Sequence, residues 1–257
     1  MNLEPNNKSL SFAEFLDAVI RDKAEAKPFP YTLEVCRCRY CSFCQNGKCA
    51  LKRCCCMNER VKARSCTFAE LLRDCFANFK DNVFQFRLRI ACERATELHT
   101  CFHDAGHRAR FYEGVSYMRK KDPKSIAQLY LLSASEFLWI RAKQVMCSPG
   151  FVDYSCLDLK LTEPNAYLYF CTAMDIQYGG SHIDLYELTL DEIVDFDAFR
   201  VICNSVAICL YGMDAVKVAE KRKKYKKKKK GKGKRMPEAK DDLKREKVRV
   251  VPISNND

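Results

Sequence analysis

DPKSIAQLYLLSASEFLWIRAKQV, residues 122 to 145, is the stretch that decides the class of this chain. Asp122 followed by Pro123 is a helix cap with proline at the first helical position, where its missing N–H costs nothing. Behind that start Gln128, Leu132 and Leu138 continue the helical pattern. The reading is one helix from Asp122 to about Val145, stopped by Ser148-Pro149-Gly150.

The same grammar extends outward on both sides. Toward the C-terminus, Thr162-Glu163-Pro164 opens a helix that Gly179-Gly180 ends, and Thr189 with Glu192 caps a region reaching Tyr211-Gly212. Toward the N-terminus, Asp104 caps a helix read from His107 to Lys120. Strong period-two strands with hairpin turns are lacking, so residues 99–213 are predicted to form an all-helical domain. Further upstream, Ser11 with Glu14 and Thr67 with Glu70 are capping boxes, in which a hydroxyl accepts a free backbone N–H and a Glu reaches back. They open SFAEFL and TFAELL, read as two uses of one good cap. A further helix is expected from about Val83 to Leu98, with Phe84, Leu88 and Ala91 at helical spacing.

Between the two capping boxes lies CRCRYCSFCQNGKCALKRCCC, residues 36 to 56, which holds eight of the 17 cysteines. No basic and then apolar leader opens the chain, and its longest apolar segments, Ala127 to Ile140 and Ala198 to Met213, are interrupted by polar residues. They fall short of the roughly 18 uninterrupted residues of a membrane span. A cytoplasmic protein is therefore expected, and in a reducing compartment a dense thiol cluster reads as a metal site before a disulfide framework. Four thiolates around Zn2+ need two tight pairs joined by a short loop. Cys38 and Cys41 with Cys49 and Cys54 is one such set. Cys41, Cys44, Cys49 and Cys54 is another, with the spacing of a nucleic-acid-binding zinc knuckle and Cys49 where the knuckle has His. Asn46-Gly47 supplies the turn in either case. A site with four protein ligands leaves no open position for substrate, so the metal's expected role is structural.

PFPYTLEVC (28–36), the spacing through KCALKRCCCMNER (48–60) and TFAELLRDCFANF (67–79) together resemble an uncharacterised family of small zinc-binding proteins carried on bacterial mobile elements. That family's pattern is C-x2-C, a cysteine shortly after Gly, then a CCC triplet. The resemblance implies Cys38, Cys41, Cys49 and Cys54 as the zinc ligands, with Cys44 where the family has another residue and Cys36, Cys55 and Cys56 as possible substitutes. Phe102 to Gly212 resembles a second uncharacterised helical family, of phages and conjugative elements, through FHDAGHRARFY, the LYLLS helix and the closing AFRVICNSVAICLYG. YGGSHIDLYEL fits it poorly, and no catalytic role comes with it.

Other candidates read as structural. His103 and His107 are four apart near Cys101, but Asp104 caps a helix between them, leaving His107 to pack or hydrogen-bond in its first turn. Cys171, Cys203 and Cys209 stand in apolar helical contexts and are expected to behave as small buried hydrophobes. Asp184, Glu187, Asp191, Glu192, Asp195 and Asp197 read as a solvated face. A P-loop, G-x-G-x-x-G, H-E-x-x-H and nucleophile elbow are all missing, which points away from an enzyme.

The net charge of +12 belongs to one segment. Residues 217–249 hold 18 basic and five acidic residues, whereas the remaining 27 basic and 28 acidic residues nearly cancel. KRKKYKKKKKGKGKR (221–235) cannot bury apolar surface and repels itself, so a disordered tail is expected. Its Lys221, Arg222, Lys223, Lys224, Lys226, Lys227, Lys228, Lys229, Lys230, Lys232, Lys234 and Arg235 suit phosphate backbones: each neutralised phosphate releases counterions, which gives salt-sensitive binding with little sequence preference. The cysteine loop is basic too, and its Tyr40 and Phe43 suit stacking on bases or covering the metal.

The sequence thus predicts a mainly α protein in three parts: a zinc-stabilised cysteine-rich module with flanking helices (1–98), a helical domain (99–213) and a basic low-complexity tail (214–257). Its expected function is that of a non-enzymatic zinc-binding accessory protein of a mobile element, binding DNA or RNA non-specifically. The alternative is a protein-interaction module or inhibitor of a host or competing system, whose tail only assists encounter.

Overall fold

The computed structural model describes residues 10–25, 44–45, 48–49, 56–62, 64, 66–119, 121–148, 151–157 and 163–220. These residues are mainly helical. The helices are α1 (Phe12–Glu25), α2 (Cys56–Lys62), α3 (Phe68–Cys75), α4 (Asn82–Leu98), α5 (Ala105–Tyr117), α6 (Pro123–Ala134), α7 (Glu136–Gln144), α8 (Pro164–Tyr178), α9 (Phe196–Tyr211) and α10 (Met213–Ala219). Two short antiparallel hairpins accompany them: β1 (Cys44–Gln45) with β2 (Lys48–Cys49), and β3 (Met146–Ser148) with β4 (Phe151–Val152). No helix among the described residues is long and apolar enough to cross a membrane.

Most of the predicted starts are where local chemistry puts them. Ser11 and Glu14 exchange bonds at 3.0–3.2 Å, and Thr67 and Glu70 form a complete capping box. Burial of the Glu70 carboxyl opposes its ionisation, but the Thr67 N–H and the Arg60 guanidinium outweigh that and hold it below the usual carboxylate range. Asp104 and Asp122 cap α5 and α6, with Pro123 at the first position of the latter. Gly179, left-handed at φ +72°, ends α8.

α6 is the central helix: every residue from Ile126 to Ala134 is buried, against α5, α8 and α9. A helix surrounded by others shows little amphipathic contrast, which matches its apolar sequence. Around it one continuous apolar cluster runs from Phe12 to Ala219. Phe15 stacks on Phe76 at 5.2 Å, Phe76 meets Phe84 at 5.0 Å, and Phe84 meets Phe199 of α9 at 5.2 Å. Each buried ring contributes roughly 1.5–3 kcal/mol. The start of α1 is tied down by Phe12 N–H to the Ile183 carbonyl and Leu185 N–H to the Leu10 carbonyl. The loop that receives it is held by the buried Asp175, which accepts from the His182 and Ile183 amides and from Nδ1 of His182.

Four expectations are corrected. The helix read from Asp122 to Val145 is two, because Ser135 is extended and its hydroxyl caps α7. Arg110 of α5 meanwhile donates to the last carbonyls of α6, Ser133 at 2.8 Å and Ala134 at 3.2 Å. Both ends of the break are thereby satisfied. Thr189 and Glu192 do not start the closing helix; Asp195 does, accepting from the Ala198 amide at 2.7 Å. Residues 99–213 are not wholly helical, since β3 and β4 pair on either side of Pro149-Gly150. Finally, the core does not stop at Gly212. That glycine, at φ +56° and ψ −140°, where only Gly is at ease, turns the chain into α10, whose Ala215, Val216, Val218 and Ala219 are buried.

Candidate functional site

Of the four zinc ligands implied by resemblance, Cys38, Cys41 and Cys54 lie outside the described residues, as do Cys36 and Cys55 and the tail cations from Lys221 to Arg235. Cys49 falls in β2, where it is the register partner of Cys44 in β1; Gln45 pairs with Lys48. That register leaves Asn46 and Gly47 between the strands, the composition that two-residue hairpin connections prefer. α2 begins at Cys56, so the cysteine-rich stretch leads directly into a helix. Among the described residues no three His, Cys, Asp or Glu side chains gather as a metal cage.

The other described thiols divide simply. Cys66, Cys75, Cys92, Cys101, Cys171, Cys203 and Cys209 are buried, and Cys156 is exposed. Burial lifts the Cys92 thiol to about 11, with Arg73 opposing and Glu93 adding, and lifts Cys209 to about 12. Thiols held neutral in this way are inert packing.

The His103–His107 pair resolves into a structural device. The His107 backbone N–H donates to Asp104 at 2.7 Å, placing the ring beneath the first turn of α5. There its Nδ1 accepts from the His103 N–H at 3.1 Å, so Nε2 carries the proton and donates to the Tyr130 carbonyl at 2.9 Å. Neither nitrogen has a lone pair left for a metal. Burial, with Arg110 nearby, lowers its pKa to about 3 despite the favourable bond to Tyr130, so the ring is neutral.

Beside it sits a polar cluster that the sequence reading did not anticipate. The Tyr130 hydroxyl donates to the Cys101 carbonyl, and Asn204 Nδ2 reaches that carbonyl at 2.9 Å and the hydroxyl oxygen at 3.3 Å. The only clue along the chain was Asn204 itself, a lone amide in the apolar run VICNSVAICL. The cluster joins α6, α9 and the segment before α5, a role in specifying one packing over others.

A cleft of about 280 Å³ opens where α5, α7 and α8 begin, beside Asp104, Ser135, Glu136 and Glu163. Three helix N-termini favour an anion, yet these acids already occupy the positive ends, and Arg110 is spent on α6. The acidic stretch is likewise structural in part: Asp191 lies 3.0 Å from Arg87 and Asp195 caps α9.

The helices that border the two predicted cationic segments touch each other. α2, which follows the cysteine stretch, packs against α10, which precedes the basic run, and both touch α3. Arg60 of α2 bonds Glu70 of α3 at 3.0 Å. Just after α10, Glu220 accepts from Arg108 Nε at 2.5 Å and from the Tyr112 hydroxyl at 2.6 Å, so the course of the chain is held to that residue. Compared with family models, curated proteins and solved structures, the chain matches none.

Proposed function

We propose that this chain is a cytoplasmic, non-enzymatic zinc-binding accessory protein of a mobile genetic element, which grips the phosphate backbone of DNA or RNA with its cysteine-rich loop and its basic tail together. The observation that carries this reading is the contact between α2 and α10. It supports the joint use of the two segments, because the cations of residues 37–64 and those of 221–235 border, in sequence, helices that touch. Two cationic arms rooted side by side raise each other's effective concentration on a polyanion. Lysine acts as a point charge without the planar fork that reads bases, so binding follows charge and not sequence. Zinc, held by four cysteines of residues 36–56, would give the loop its shape.

The test compares the full chain with a version ending at Glu220 on a fluorescent duplex and a single strand over a salt series. Expected is a steep loss of affinity with salt for the full chain and a much shallower slope after truncation, by about 0.9 per phosphate contact removed on duplex DNA. Unchanged slopes would show that the tail is not the binding element. If neither protein binds at moderate salt, the protein-interaction reading replaces this one. The exposed Val83 and Phe86 on α4 are then the surface to map.

A further inference from the structure

The cleft of about 280 Å³ where α5, α7 and α8 begin holds polar groups that the fold leaves unused. Tyr169 of α8 lines it and is only 4% exposed, yet among the described residues its hydroxyl has no hydrogen-bond partner. Burial, with Asp195 and Asp197 adding, pushes its phenol up, so the hydroxyl keeps its proton. Buried hydroxyls are ordinarily bonded, and one left open beside a cavity marks a place for a ligand atom. Two acids of the cleft are also without a protein partner among the described residues. Glu163 is the N-cap residue of α8 but makes no side-chain cap, and Glu136 stands exposed in the first turn of α7. Asp104 spends Oδ1 on the His107 amide at 2.7 Å, while its Oδ2 lies 3.8 Å from Nε2 of His103, beyond hydrogen-bond reach.

The sign of the charge selects the ligand. A helix N-terminus is equivalent to about half a positive charge, so these three carboxylates outweigh the three N-termini and the Arg110 guanidinium together. Arg200, 3.4 Å from His103, is matched by Asp197 at 3.6 Å, and Asp195, bonded to Asn165 at 2.7 Å, adds a further negative charge. A primary ammonium has three donors and no acceptor, which complements carboxylates and a phenolic oxygen. From this cleft we infer a binding site for a small aliphatic amine, its ammonium seated among Glu136, Glu163, Asp104 and the Tyr169 hydroxyl. The volume lies just below the roughly 300–1,000 Å³ of drug-sized sites, so the ligand is small. The site is independent of the zinc and nucleic-acid reading.

The probe is putrescine, titrated calorimetrically into the full chain at moderate salt and about pH 8, where alkylamines are charged and imidazole is not. Binding of one putrescine per chain with a Kd of about 1 mM or tighter is expected, and none of succinate or 1,4-butanediol, which match its length without its charge. Glu136→Gln combined with Glu163→Gln should weaken binding about tenfold or more, and Tyr169→Phe about threefold. Glu93→Gln, on α4 and outside the cleft, should leave it unchanged. Because Tyr169 is buried, its variant is read together with its unfolding midpoint; the two glutamates are exposed, so their variant decides the matter should Tyr169→Phe misfold. Absence of putrescine binding, succinate bound in its place, equal weakening by Glu93→Gln, or full affinity in the double glutamine variant overturns the inference.

Discussion

His107 donates its Nε2–H to the main-chain carbonyl of Tyr130 at 2.9 Å while its Nδ1 accepts the His103 amide, so one ring joins α5 to the centre of α6. The device works only with a neutral imidazole. The folded pKa is about 3 against an ordinary 6.5, so between those values the unfolded chain binds the extra proton. Stability is therefore complete above about pH 6.5 and falls as pH drops toward 3. Going from pH 7.5 to pH 5 should remove about 2 kcal/mol through this group. Urea unfolding at the two pH values checks it, and His107→Gln should lose stability at pH 7.5 and shed that part of the pH dependence.

At Gly114 α5 lies close against its neighbours. A Cβ there would stand 2.5 Å from Leu129 and 2.8 Å from Trp139, both buried. Gly114→Ala should cost about 1–3 kcal/mol even though alanine favours helix elsewhere, because the packing penalty exceeds the propensity gain of roughly 1 kcal/mol. The shift of the denaturation midpoint measures it. A stabilised variant would show that α5 can move away freely.

Arg110 satisfies two carbonyls at the end of α6 with one guanidinium. Arg110→Met keeps the aliphatic stem and removes both donors, so a loss of about 1–3 kcal/mol is expected. Arg110→Lys should recover only part, since a single ammonium cannot reproduce the fork. Equal stability of the Lys variant and the wild type would assign the effect to charge alone.

Thiol chemistry separates the cysteines into classes. On the native protein, iodoacetamide should modify Cys156 first among the described residues, and the seven buried cysteines only after unfolding. The cysteines of residues 36–56 should become faster after a strong chelator strips zinc. Mass spectrometry of the labelled peptides reads all three classes, and a cluster whose labelling ignores the chelator would refute the zinc reading.

Legibility along the chain followed the range of the forces involved. The caps at Ser11, Thr67, Asp104 and Asp122 and the stop at Gly179 were readable because each joins residues within four positions. The break at Ser135 was not, because its other half is Arg110, 23 residues away from Ser133 in sequence. α10 was hidden by its proximity to the lysine run, although Met213–Ala219 carries enough apolar side chains to bury. For the site, the clustering of thiols and of cations was legible along the chain, but the contact between α2 and α10 was not, because it joins residues far apart in sequence.

By itself the amino-acid sequence determined that this protein is built of helices, where most of them start, and that its charge and its clustered thiols lie in two segments, since each of these follows from neighbours in the chain. Only the tertiary structure decided that His107 is a neutral buried strut, that Tyr130 and Asn204 form a polar centre, and that α2 lies against α10. Those outcomes depend on groups distant in sequence, brought together when the apolar faces exclude water. Burial then sets the protonation and the partners that no local pattern encodes.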